Sequence, residues 1–81
     1  MQPLNFEGAN VVFAANQPQY EPLPAEYRGG QSGEILTCWE LSVEDLKRIQ
    51  ETGKIWLGVL TFGQPLKPLI LSVEKPEPFD K

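Results

Sequence analysis

A chain of 81 residues allows one domain, and one of this size buries only about 60–65% of the surface its unfolded form exposes, so its core is marginal without reinforcement. One cysteine and no histidine exclude an intramolecular disulfide and a zinc site, which leaves association with further copies as the expected reinforcement. The net charge of −4 argues against general nucleic-acid binding and against anionic membranes, because two arginines and five lysines are scattered among eleven acids.

The first residues lack a positive n-region, and the apolar run Val11–Ala15 is too short for a signal peptide or a membrane span. A soluble, cytoplasmic protein is expected. That same run is β-prone and is closed by Asn16-Gln17-Pro18. From 16 to 33 the chain carries Pro18, Pro22, Pro24, Gly29, Gly30 and Gly33, which reads as a long loop. Tyr20, Leu23 and Tyr27 hold too much apolar surface for a plain solvated linker.

Glu34–Leu41 reads as one strand, with Ile35, Thr37, Trp39 and Leu41 on one face and Leu36, Cys38 and Glu40 on the other. The strongest local signal follows. Ser42 is a natural N-cap with Asp45 at N3, and Leu41 and Leu46 have the spacing of a hydrophobic staple. Glu44 and Asp45 suit the first turn, and Gly53 supplies a left-handed stop, so the pattern predicts a helix over Val43–Thr52. Val43, Leu46 and Ile49 form its expected inward stripe.

Ile55–Phe62 is apolar on both faces and predicts a central strand. One helix cannot cover that much apolar surface, so the long loop or a second subunit must, and a homodimer or higher homo-oligomer is expected. Leu69–Val73 predicts a last strand, and the tail 74–81 is expected to be extended and mobile, pinned at Phe79 if anywhere. The expected fold is α+β: one domain over 1–81, with a small, mainly antiparallel sheet of about four strands and one helix, in the order β-loop-β-α-β-β. Strand order stays open.

No residue set reads as catalytic, and the sequence calls for no cofactor and no metal. Cys38 lacks a histidine partner and is expected to be a small buried thiol, while Glu21 and Glu26 are a carboxylate pair of an ordinary acidic surface. Trp39 and Trp56 read as core residues, or else as the lining of an interface or pocket. The candidate binding group is Tyr20, Tyr27, Arg28, Gln31 and Ser32: rings to stack on a planar ligand, a guanidinium to fork onto an anion, and flexible backbone amides. In the alternative, the tyrosines pack the loop onto the sheet and Arg28 pairs with a neighbouring glutamate.

Cys38-Trp39-Glu40-Leu41-Ser42, Thr52-Gly53-Lys54-Ile55-Trp56-Leu57, Thr61-Phe62-Gly63-Gln64-Pro65-Leu66 and Leu71-Ser72-Val73-Glu74-Lys75-Pro76 resemble a family of short proteins of tailed bacteriophages and prophages. The likeness extends over most of the chain after Asn10, with Leu23-Pro24-Ala25 and Arg28 included. It implies a phage origin and a place in the cytoplasm of the infected host, and brings no catalytic residues with it. The function expected is a non-enzymatic accessory protein that binds and inhibits or sequesters a host component, whether a protein or a small anionic signalling molecule, with anti-defence action among the possibilities. The alternative is a minor virion or assembly protein.

Overall fold

The computed structural model describes residues 1–80 and has an α+β fold: two small antiparallel sheets and one helix. Strands β1 (Gln2–Leu4) and β5 (Cys38–Glu40) form one sheet, and β2 (Val11–Phe13), β3 (Leu23–Gly29) and β4 (Glu34–Leu36) form the other in the order β2-β3-β4. Helix α1 (Val43–Thr52) comes last. No described helix is long and apolar enough to cross a membrane.

The helix ends match the sequence signals. Ser42 Oγ accepts from the Asp45 N–H at 3.1 Å, and Asp45 Oδ2 accepts from the Ser42 N–H at 3.0 Å, a reciprocal capping box. The Met1 amino group pairs with the same Asp45 carboxylate at 2.7 Å. At the other end Gly53 takes φ 66°, and its N–H donates to the Ile49 carbonyl at 2.6 Å.

Four expectations fail. The expected loop over 16–33 holds β3, the longest strand, which pairs with β2 through Val11–Ala25 and Phe13–Leu23. The expected strand Glu34–Leu41 is divided at Thr37, so that its halves serve different sheets, and Trp39 Nε1 donates to Thr37 Oγ1 at 3.1 Å beside the break. Ile55–Phe62 and Leu69–Val73 form no strand. Their apolar pattern is present, but no described strand lies alongside to take up their hydrogen bonds. Finally, the expected interior is open. Among the described residues Ala25 is the single buried hydrophobic one, Cys38 is half-buried, and Trp39, Trp56, Val43 and Leu46 stand exposed.

The tail, expected to be extended and mobile with a hold at Phe79, is tied to the body at several residues among the described 74–80, and Lys81 lies outside the described residues. Lys75 pairs with Glu26 at 3.2 Å and donates to the Glu7 carbonyl at 3.4 Å. The Phe79 N–H donates to Glu34 Oε1 at 3.0 Å, and the Asp80 carboxylate accepts from both the N–H and the hydroxyl of Ser32, at 2.8 and 3.2 Å.

Candidate functional site

The three-stranded sheet has two unlike faces, because side chains alternate along a strand and cross-strand partners share a face. The register places Val11, Phe13, Leu23, Ala25, Tyr27 and Ile35 on one face. Glu26, Arg28, Glu34 and Leu36 lie on the other, where an irregularity between Tyr27 and Gly29 brings Gly29 opposite Glu34.

On the polar face, Arg28 is committed. Its Nε donates to Glu26 at 2.9 Å and a terminal nitrogen reaches Glu34 at 3.5 Å, with only 7% of the side chain exposed. The Glu26 carboxylate provides the main force holding the guanidinium's pKa above its ordinary value. In turn the Arg28 hydrogen bond, followed by that from Lys75, holds the Glu26 carboxyl below its ordinary 4.5. The tail crosses this face, and its Asp80 fills the donors of Ser32. A Cβ added at Gly30 would stand 2.5 Å from the Asp80 carboxylate, and φ at Gly30 is +73°, so that turn has two reasons to be glycine. The anion receptors of the candidate group, Arg28 and Ser32, are therefore both occupied by the chain's own carboxylates.

On the apolar face a shallow open groove of about 470 Å³ is lined by Asn10, Val11, Phe13, Tyr27 and Ile35. Tyr27 is 53% exposed there. Asn10 fixes its position: the Tyr27 N–H donates to Asn10 Oδ1 at 2.7 Å, and Asn10 Nδ2 donates to the Tyr27 carbonyl at 3.1 Å. Tyr20 lies apart, exposed, in the turn whose N–H donates to the Gln17 carbonyl at 2.9 Å. Gln31 is exposed in the β3–β4 turn.

The five residues singled out from the sequence thus do not converge on one pocket. Tyr27 faces the groove, Arg28 and Ser32 face the tail, and Tyr20 and Gln31 stand in separate turns. Sequence reasoning missed Asn10, Val11, Phe13 and Ile35 as groove residues. The period-2 spacing of Val11 and Phe13 was the available signal, but it needed β3 as a neighbour to acquire meaning. No known protein family, curated protein or solved structure matches this chain.

Proposed function

We propose that this chain is a non-enzymatic accessory protein of a bacteriophage that acts in the host cytoplasm by holding an apolar segment of a host protein on the Val11–Phe13–Tyr27–Ile35 face and so inhibiting it. One observation carries the reading: Phe13, Tyr27 and Ile35 stand exposed on this face, while Glu26, Arg28 and Glu34 of the opposite face are tied to one another and to the chain's own tail. Exposed aromatic side chains on a supported sheet are the usual anchors of protein recognition, since they desolvate a large area at low cost in side-chain entropy. Sequestration of a small anion is the weaker reading, because Arg28 would have to give up Glu26 and Glu34 to serve it. The phage origin rests on the resemblance of the Cys38–Ser42, Thr52–Leu57, Thr61–Leu66 and Leu71–Pro76 segments.

The test is affinity capture from infected cells with the original chain, Phe13→Glu and Tyr27→Glu, each checked for an unchanged fold by circular dichroism. One host polypeptide in near-stoichiometric amount, lost with both variants, is the expected result. Equal capture by all three would remove the groove from the mechanism. Recovery of the chain from purified particles would favour the alternative, a minor virion or assembly protein.

A further inference from the structure

Between the end of α1 and Lys75, residues 54–73 make an excursion that is anchored at both ends and unsupported in the middle. Gly53 fixes its start on the helix, and the Lys75–Glu26 pair fixes its return on the sheet. Within it one backbone hydrogen bond is formed, from the Gln64 N–H to the Thr61 carbonyl. Ile55, Leu57, Leu60, Phe62, Leu69, Ile70, Leu71 and Val73 are exposed, and Trp56 is 88% exposed. A loop of this length without structure of its own is uncommon in a small domain, and it is rarer still when apolar.

The surface area shows how much is left uncovered. The chain exposes 7229 Å², whereas a compact monomer of 9.1 kDa exposes about 4,900 Å². The difference is about 2,300 Å² per chain, or about 4,600 Å² for a pair, within the total that obligate homodimers bury. The radius of gyration agrees: 14.2 Å, against about 11.7 Å for a compact chain of this length. The helix is also uncovered, with no buried residue on its Val43–Leu46–Ile49 stripe.

Charge indicates what the excursion meets. Residues 54–73 carry Lys54 and Lys67 and no acid, a net +2, while residues 1–53 carry three basic and eight acidic side chains, a net −5. Two excursions laid against each other would bring like charges together. An excursion laid on another copy's body brings opposite charges together and covers apolar surface on both.

We infer that this chain is a reciprocal homodimer, in which residues 54–73 of each copy pack on the body of the other, with the Ile55–Phe62 segment extended against it and Trp56 as an anchor. The alternation of Ile55, Leu57 and Val59 with Trp56 and Leu60 suits a strand that gains its partner only on association. A two-fold arrangement uses each surface twice and closes, so assembly stops at two copies.

Sedimentation at micromolar concentration is expected to give twice the 9.1 kDa chain mass. Trp56→Ala should weaken association by about thirty-fold or more, as loss of an interface anchor does. Val59→Pro, which removes a backbone donor from the middle of the segment, should leave monomer alone. Because that variant can misfold, the same question is put to a Trp39→Phe chain, whose remaining tryptophan is Trp56. Its emission should be blue-shifted at high concentration and move to the red on dilution. A monomer at all concentrations, a dimer indifferent to Trp56→Ala, or an emission maximum independent of dilution would each overturn the inference. Trp56 and Val59 lie outside the groove, so loss of association in their variants and loss of host capture in the groove variants are read out separately.

Discussion

The side-chain amide of Asn10 makes both backbone hydrogen bonds of Tyr27, receiving from its N–H at 2.7 Å and donating to its carbonyl at 3.1 Å. Strand pairing between β2 and β3 ends at Val11–Ala25, and one carboxamide prolongs it by a further residue of β3. An asparagine is suited to this because it offers a donor and an acceptor at the spacing of a peptide group. Asn10→Ala should cost about 1 kcal/mol of stability in urea denaturation. Asn10→Asp keeps the acceptor but turns an oxygen toward the Tyr27 carbonyl, so it should also destabilise. An unchanged midpoint for both would mean that water replaces the pair without loss.

The helix ends offer a second check. Ser42→Ala removes the acceptor of the Asp45 N–H and should cost about 1 kcal/mol. Gly53→Val forces a β-branched residue to φ near 66° and should cost roughly 1–2 kcal/mol, although a Cβ there meets no neighbouring atom. The penalty is conformational alone. Gly53→Asn, which tolerates the left-handed region better, should recover part of it.

Asp45 gives the fold an acid-sensitive element. The Met1 amino group, and then the Ser42 N–H, hold its carboxyl down to about 2 from an ordinary 3.8. A carboxyl with a depressed folded-state pKa stabilises the fold fully above its unfolded value. That stabilisation is lost as pH falls from 3.8 towards 2. Melting temperatures followed through this window should fall more steeply for the original chain than for Asp45→Asn. Acetylation of the Met1 amine should flatten the same limb, since it removes the larger cause. Identical acid limbs in all three would assign the loss to other carboxylates.

The helix was legible residue by residue because its caps are local chemistry: Ser42, Asp45 and Gly53 act within a few residues of themselves. The strands were less so. Pro22 and Pro24 argued for a loop, yet Pro24 lies inside β3. Tyr27 and Ala25 turn their backbone groups toward β2, so the position of Pro24 directs its missing donor to the other side. There β4 reaches only as far as Glu26, through its pairing with Leu36, and no ladder bond is forfeited. Conversely, Ile55–Phe62 has the apolar pattern of a central strand, but a pattern records only the need for partners, and no described strand lies alongside to meet it. The candidate binding group was scattered for a related reason. Tyr27 and Arg28 are adjacent in sequence, and adjacency on a strand places side chains on opposite faces.

Arg28 separates a structural role from a binding role most directly. Its guanidinium bridges Glu26 and Glu34, two carboxylates that would otherwise face one another with only Lys75 nearby. Arg28→Ala should therefore lower the melting temperature, because it leaves two acids without their shared counter-charge, one of which, Glu34, also accepts from the Phe79 N–H of the tail. Arg28→Lys should recover part of the loss, since a compact ammonium cannot fork to both acids at once. The acid limb carries the sign: the Glu26 pKa lies below its ordinary 4.5, so the stability it contributes is present above that value and is lost as pH falls below it. In Arg28→Ala that dependence should diminish. Denaturation of the three chains, above and below this range, checks both expectations. A melting temperature unmoved by Arg28→Ala, together with loss of host-protein capture, would return Arg28 to the binding surface and overturn its structural assignment.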